Sequence, residues 1–217
     1  MLRVLLALLL LTGCSGGGTS LSAKMLSPND IALEWRGGST TRVLEFATER
    51  EGAYTVLHFA PPGQTTFTHP DLMPKTPFYY RLRSVHGPAS APLDLALPPG
   101  EFDETADHSW APPQTLPGAP RKHPVRSEAA QPTDVRATVM HANGIRFTWT
   151  DNASDEAGYL IEVRAAGAAE YRVAAVLDPD VNSFGLITLP EEKVAAYRVR
   201  AYFYGSPSNI VHLVTGA

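Results

Sequence analysis

Two stretches decide the fold: Ile31-Ala32-Leu33-Glu34-Trp35 and Ile145-Arg146-Phe147-Thr148-Trp149. In each stretch every second residue is large and apolar, and the last of these residues is a tryptophan. Such period-2 alternation is typical of a β-strand that buries one face and exposes the other. Because the same pattern occurs twice, the chain is expected to contain an internal repeat.

The repeat extends through most of the chain. Its further matched positions are alternating apolar residues, a leucine-proline turn and a Tyr-Arg strand: Leu44 and Phe46 with Ile161 and Val163, Tyr54 and Val56 with Tyr171 and Val173, Leu72-Met73-Pro74 with Leu189-Pro190, and Tyr80-Arg81-Leu82-Arg83 with Tyr197-Arg198-Val199-Arg200. Each copy ends in a last strand, around residues 93–97 and 210–214. Strand signals at this short spacing, separated by turn residues, predict antiparallel sandwiches.

At these residues each copy resembles the fibronectin type III domain. In the second copy, Trp149-Thr150-Asp151-Asn152 and Gly158-Tyr159-Leu160-Ile161-Glu162-Val163-Arg164 are similar to the family's second and third strands. In the first copy, residues 72–82 are similar to the family's corner and the strand after it. The resemblance implies an all-β protein with two immunoglobulin-like antiparallel β-sandwiches. The family's corner tyrosine is matched by Phe78 and Ala195, so its hydrogen bond to the backbone is expected to be missing from both copies.

The chain therefore divides into two fibronectin type III-like domains, residues 21–97 and 132–216, and a linker at residues 98–131. The linker contains seven prolines, which exclude regular helix or strand over most of it. An extended, semi-rigid spacer is the default expectation. Two aromatic residues, Phe102 and Trp110, are unusual in a free spacer. They would dock on a domain face, bind a partner as a short linear motif, or simply be tolerated.

The first residues are typical of an export signal. Arg3 precedes an apolar run from Val4 to Leu11, and this run is too short to span a bilayer, which takes about 20 residues. Leu11-Thr12-Gly13-Cys14 resembles the lipobox of bacterial lipoproteins. The resemblance implies that residues 1–13 are removed and that Cys14 carries a covalent diacylglycerol and further acyl chains. An ordinary signal with a chance cysteine is the alternative.

The lipid on Cys14 would anchor the protein to a membrane, and residues 14–20 would form a Gly/Ser tether. Ser15, where an aspartate would favour the inner membrane, indicates the outer membrane of a Gram-negative envelope. Periplasmic and outward-facing orientations both remain open. Cys14 is the only cysteine, so no internal disulfide holds the fold. We expect no cofactor other than the covalent lipid.

Composition and motifs argue against several function classes. The 217 residues carry a net charge of −4 without a basic stripe, so nucleic acid is not expected as a partner. The seven histidines are scattered, and the acidic stretch from Asp151 to Glu156 lacks the glycine and final glutamate of an EF-hand loop. No metal site is therefore predicted. Nucleophile elbows and phosphate-binding loops are also missing from the sequence, and we expect a protein without enzymatic activity.

One predicted strand face suits a partner. Arg198, Arg200, Tyr202 and Tyr204 alternate along it with Leu160 nearby, and Arg and Tyr are enriched at protein interfaces. The alternative is that the arginines of this strand, and Arg81 and Arg83 in the first copy, pair with outward-facing glutamates on the neighbouring strand: Glu45 and Glu162.

The sequence predicts a lipid-anchored envelope protein for display or adhesion. Its sandwich faces would bind protein or glycan partners. A structural accessory subunit of a secretion, pilus or motility machine is a second possibility. A third is a non-catalytic module associated with carbohydrate-active enzymes.

Overall fold

The computed structural model describes residues 20–101, 103–117 and 121–216. Within these ranges the chain has no α-helix, only two 3₁₀ turns at Glu128–Ala130 and Pro190–Glu192, and no helix long and apolar enough to cross a membrane. The fourteen strands are β1 (Leu21–Ser27), β2 (Asp30–Trp35), β3 (Arg42–Ala47), β4 (Thr55–Ala60), β5 (Thr66–His69), β6 (Pro77–His86), β7 (Leu93–Ala96), β8 (Thr133–His141), β9 (Gly144–Thr150), β10 (Gly158–Ala165), β11 (Arg172–Leu177), β12 (Ser183–Ile187), β13 (Val194–Pro207) and β14 (Val211–Val214). The predicted signal, Cys14 and Phe102 lie outside the described residues.

The first sandwich has three strands facing four. Strands β1, β2 and β5 pair in one sheet, and β4, β3, β6 and β14 pair in that order in the other. The alternating residues of β2 point between the sheets, where Ile31 and Leu33 are fully buried. They pack in one cluster with Trp35, Leu44 and Tyr80. The period-2 prediction is confirmed for this half.

The second sandwich repeats the same arrangement. Strands β8, β9 and β12 form the three-stranded sheet, and β11, β10, β13 and β7 form the four-stranded one. Ile145, Phe147 and Trp149 of β9 lie in its core and pack in one cluster with Ile161 and Tyr197 of the facing sheet. The two cores are separate, so the protein consists of two all-β sandwiches.

The last strand of each sandwich comes from the other repeat. Strand β7 follows the first repeat but pairs with β13 of the second sandwich, and β14 follows the second repeat but pairs with β6 of the first. Both strands form where the sequence predicts them. Their sheets differ from the expected consecutive order, in which residues 21–97 and 132–216 would each close their own sandwich.

The exchange arises because the chain runs straight on where each repeat would otherwise turn back. Residues 77–96 and 194–214 form one long antiparallel ribbon, here called the central ribbon. Its successive pairs are Pro77 with Val214, Tyr80 with Val211, Arg83 with Pro207, His86 with Phe203, Ala89 with Arg200, Leu93 with Tyr197 and Ala96 with Val194. The ribbon joins the two four-stranded sheets into a single eight-stranded sheet.

Two local features favour the straight path. Gly87 has φ +125°, and a Cβ there would lie 3.1 Å from the Ala201 carbonyl carbon, so the close crossing of the strands needs glycine. Prolines follow at Pro88 and Pro92, and a proline disfavours helical backbone in the residue before it. The connection between β6 and β7 is thus held extended.

The expected loss of the corner hydrogen bond is wrong for the second sandwich. The hydroxyl of Tyr197 donates to the backbone oxygen of Glu192 at 2.6 Å. The tyrosine that makes the corner hydrogen bond is thus two positions after Ala195, and it follows the 3₁₀ turn at Pro190–Glu192. In the first sandwich, Tyr80 forms a side-chain hydrogen bond with His69 Nδ1 at 3.0 Å instead.

The described part of the linker is not a free spacer. Residues 103–117 and 121–131, here called the strap, run along the second sandwich. Trp110 is 6% exposed, and the positions that a Cβ would take on Gly144 and Gly185 lie 2.7 Å and 2.6 Å from its ring atoms. Gln114 exchanges two backbone hydrogen bonds with Ser183 of the edge strand β12, at 2.9 and 3.1 Å. The strap therefore covers that edge.

The end of the strap enters the core. Val125 is 2% exposed and Ala130 is fully buried, and both belong to the core of the second sandwich. The backbone N–H of His123 donates to the Asn152 oxygen at 2.7 Å. Of the three alternatives for Trp110, docking on a domain face is the one the structure displays.

Candidate functional site

The apolar part of the predicted Arg/Tyr face lies inside the molecule, whereas its two arginines, Arg198 and Arg200, are half-buried. Leu160 is fully buried and Tyr202 is 3% exposed. They pack with Val43 and Val85 of the first half in a cluster here called the junction core. The face is covered because the shared sheet brings the outer faces of the two four-stranded sheets together. Leu160 and Tyr202 are therefore not available to a partner as an exposed surface, and Tyr204 is half-buried.

The junction core also raises the pKa of the Tyr202 hydroxyl. Burial is the main cause, and the hydroxyl of Tyr204, 3.3 Å away, adds to it. The neutral phenol is the form that this environment stabilises. The two tyrosines thus serve packing, with ring centroids 5.2 Å apart in an edge-on arrangement.

Three of the four strand arginines pair with the predicted glutamates. The expected pairing of Arg83 is wrong, because no carboxylate of the described residues lies within ion-pair distance of it. Arg81 donates to Glu45 at 2.6 Å in the first half. In the second half, Arg198 and Arg200 both donate to Glu162, at 2.5 and 3.1 Å. Glu162 is 1% exposed, and a buried carboxylate needs such partners because desolvation disfavours its charged form.

A tyrosine ring completes this arrangement in both halves. The guanidinium of Arg81 lies 4.0 Å from the ring centroid of Tyr54, and that of Arg198 lies 3.9 Å from that of Tyr171. The second half adds Arg164, 4.9 Å from the same Tyr171 ring. Such cation–π contacts contribute about 0.5–1 kcal/mol at exposed sites and more when desolvated. They hold the arginines in fixed orientations.

Arg164, Arg198 and Arg200 line a cleft between the two halves. The cavity has a volume of about 370 Å³ and is here called the junction cleft. Its second-half wall consists of Arg164, Tyr171, Arg198 and Arg200, and its first-half wall includes the hydroxyl side chains Ser39, Thr40 and Thr41. One acidic residue, the exposed Glu170, also lines the cleft. Pockets that bind small ligands start at about 300 Å³.

The charges of the junction cleft favour an acidic ligand. Glu162 is shared by Arg198 and Arg200, so one carboxylate faces two guanidinium groups. Among the described residues, Arg164 has no carboxylate within ion-pair distance. Guanidinium groups held by stacking present their remaining N–H donors in a fixed fork, which suits carboxylate or phosphate oxygens.

One acidic cluster has the spacing of a cation site. The carboxylates of Asp151, Glu156 and Asp180 lie within 4.8 Å of one another. The ammonium of Lys122 reaches into this cluster from the strap, at 2.6 Å from Asp151 and 2.5 Å from Asp180. Burial by itself lowers the pKa of this ammonium, but the two aspartates outweigh it and raise the pKa. The cluster thus holds a cation supplied by the protein itself.

Only part of the junction cleft could be predicted from the sequence. Arg198 and Arg200 are among the predicted binding residues, whereas Arg164, Tyr171 and the three hydroxyl residues of the first half are not. A signal for Tyr171 is present in the repeat, since Tyr54 and Tyr171 occupy matched positions. Nothing in the sequence indicates the three hydroxyl residues, because only the packing of the two halves brings them to the cleft.

Comparison with known proteins gives matches to solved structures. The crystal structure of the chicken CNTN1 FN1-FN3 domains is 15% identical, with 92% of this chain and 67% of that chain covered and a TM-score of 0.30. The two fibronectin type-III domain segment from chicken tenascin is 14% identical, with 91% and 99% covered and a TM-score of 0.29. No protein-family model and no curated protein matches the chain.

The fold follows from the strands themselves. Both sandwiches are immunoglobulin-like and of the fibronectin type III kind. Each has three strands facing four, with the tryptophan of the second strand in the core.

Proposed function

We propose that the protein is a lipid-anchored, non-catalytic binding protein of the bacterial cell envelope, and that the junction cleft holds an acidic sugar of an envelope glycan. The lipid on Cys14 would confine the chain to a membrane surface. The fused sandwiches would present the cleft to the surrounding glycan. This proposal replaces display on an open strand face, because Leu160 and Tyr202 of that face are buried and its Arg198 and Arg200 line the cleft.

The observation that carries the proposal is the lining of the junction cleft. Hydroxyl side chains on one wall can donate to and accept from sugar hydroxyls, because a Ser or Thr hydroxyl does both. Arginines on the other wall can bind a carboxylate on the sugar through paired N–H donors. A site with both kinds of group suits an acidic sugar better than a neutral or an apolar ligand.

The cleft is tested with Arg164→Met, which removes the arginine that has no carboxylate partner. We expect the full chain in detergent to bind acidic saccharides on an array in preference to neutral ones. A charge-assisted hydrogen bond is worth about 1.5–3 kcal/mol, so the variant should bind at least about tenfold more weakly. Arg50→Met is the matched control, because Arg50 makes an exposed ion pair at the surface. Equal binding by both variants, or capture of proteins alone, would contradict the glycan proposal.

The anchor is tested separately with Cys14→Ala. If Cys14 carries lipid, the wild type should fractionate with membranes and require detergent for release. The variant should move to the soluble fraction or keep its first thirteen residues. Unchanged membrane association of the variant would end the lipid-anchor proposal and leave the cleft proposal standing.

A further inference from the structure

A second opening lies where β6, β13 and the strap meet. It has a volume of about 480 Å³ and is lined by Arg83, His86, Arg126, Phe203, Tyr204 and residues 205–207. It shares no lining residue with the junction cleft. Two separate segments of the chain supply its basic side chains, β6 and the strap, and β13 supplies its aromatic rings.

Each basic side chain is held in place by an aromatic ring. The guanidinium of Arg83 lies 4.5 Å from the ring centroid of Tyr204, and its Nε donates to the Gly205 backbone oxygen at 3.1 Å. The guanidinium of Arg126 lies 4.1 Å from the ring centroid of Phe203. The imidazole of His86 stacks on the same Phe203 ring, with centroids 5.5 Å apart.

The opening is basic without an acidic counterpart. Of the residues lining it, none is Asp or Glu. Among the described residues no carboxylate lies within ion-pair distance of Arg83 or Arg126, whereas Arg81, Arg198 and Arg200 all have a glutamate partner. Two positive charges that line one opening repel each other, and an anion bound between them removes that cost.

We propose that this opening is an oxyanion site that binds a carboxylate or phosphate group between Arg83 and Arg126, with His86 as a third donor. Stacking occupies the faces of the guanidinium planes and leaves N–H groups at their edges. The terminal nitrogens of Arg83 and the whole edge of Arg126 are available for paired hydrogen bonds to such an oxyanion. The site goes beyond the proposed glycan binding, since it shares no residue with the junction cleft.

The proposal is tested by NMR titration of the full chain in detergent with inorganic phosphate, with acetate and with chloride at equal ionic strength. Phosphate or acetate should cause saturable shifts at His86 and Gly205. A response to phosphate alone or to acetate alone would assign the site to that oxyanion. Shifts that chloride reproduces, or no saturable shift with either anion, would overturn the site.

Variants then locate the binding. We expect Arg83→Met and Arg126→Met each to weaken anion affinity about tenfold, with Arg50→Met as the charge-matched control that leaves it unchanged. Amide spectra that keep the wild-type pattern would show that the variants fold. Wild-type affinity in the double variant contradicts the proposal, as does an affinity lost only in Arg164→Met. That last result would place the anion in the junction cleft instead.

Discussion

Arg81 and Arg83 lie two residues apart on one face of β6, yet their partners differ. Arg81 pairs with Glu45 within its own sandwich, as Arg198 does with Glu162 in the other. Arg83 instead donates to the Gly205 oxygen and stacks on Tyr204, both from the other repeat. The difference arises because Glu45 of β3 lies opposite Arg81, whereas the β3 residue opposite Arg83 is Val43, and β13 pairs with β6 at Arg83 on the other side. Whether a strand arginine forms an ion pair therefore depends on the residues that the neighbouring strands place next to it.

The docking of Trp110 makes a prediction at the scale of one side chain. Trp110→Ala should lower the free energy of unfolding by about 3–5 kcal/mol, because a buried ring is lost and a cavity remains. Urea unfolding measures this change. Gly185→Ala tests the same contact from the other side, since its Cβ would lie 2.6 Å from the ring. Leu189→Ala is the control, because Leu189 is 50% exposed. If Trp110→Ala costs no more than the control, the strap does not dock.

Four tyrosines predict instability at alkaline pH. Burial is the main cause that raises the pKa of the Tyr80, Tyr159, Tyr197 and Tyr202 hydroxyls above the ordinary value of 10.0. Above that pH the unfolded chain releases these protons and the folded chain keeps them. Unfolding is then favoured by about 1.4 kcal/mol per pH unit for each tyrosine.

The measurement is the free energy of unfolding in urea from about pH 9 to about pH 11. Stability should be unaffected by these groups below pH 10 and should fall steeply above it. Tyr202→Phe keeps the buried ring and removes one ionisable group, so its slope should be smaller than that of the wild type. A flat profile above pH 10 would contradict the burial of these hydroxyls.

At the scale of elements, the exchanged strands decide how the sandwiches close. Strands β7 and β14 have four residues each, and each closes the edge of the other repeat's sheet. The side chains follow the exchange, since the ring of Tyr79 stacks on His212 with centroids 4.3 Å apart. Neither repeat can complete its four-stranded sheet with its own last strand in this arrangement.

A designed disulfide tests the exchange. In a Cys14→Ala background, Tyr79→Cys with His212→Cys should oxidise to a disulfide, because these residues are direct partners on β6 and β14. Opposite residues of antiparallel strands lie about 4.5–5.5 Å apart at Cα, within disulfide range. Mass spectrometry of peptides identifies the bond. Ala196→Cys with His212→Cys is the control, since this pair would be opposite each other only if β14 closed its own repeat. A bond in the control pair alone would disprove the exchange.

At the scale of the whole molecule, the two sandwiches are joined by more than a linker. The eight-stranded sheet runs through both, and the junction core packs Val43 and Val85 of one half with Leu160 and Tyr202 of the other. Tandem domains on a spacer would unfold independently. Sandwiches that share strands and a core should instead unfold together.

Hydrogen exchange at increasing urea concentration measures this cooperativity. Protection in β2 and in β9 should be lost at the same midpoint, although the two strands belong to different cores. Lys122→Met sharpens the test, because it leaves the buried carboxylate of Asp151 without its cation and should cost about 3–5 kcal/mol. The loss lies in the second half, yet both midpoints should shift equally. Two separate midpoints, or a shift confined to β9, would mean that the halves are independent.

Much of the fold could be predicted because it is encoded locally. Alternating apolar residues define each strand's buried face, and the Glu45–Arg81 and Glu162–Arg198 pairs follow from neighbouring strands. The burial of Tyr202 could not be predicted from the sequence. Its side chain points away from the core of its own sandwich, but the packing of the two halves buries it in the junction core. The corner bond of Tyr197 was missed because the 3₁₀ turn before it sets the spacing.

The sequence by itself determined that the chain forms two all-β sandwiches, since burial of alternate residues depends only on the order of residues along each strand. The tertiary structure alone decided which repeat supplies each last strand, where the strap docks and which residues line the two openings. A last strand finds equivalent edges in both repeats, because the repeats have the same pattern. The straight path of the central ribbon and the packing of the two halves therefore determine the sheet edge with which each last strand pairs.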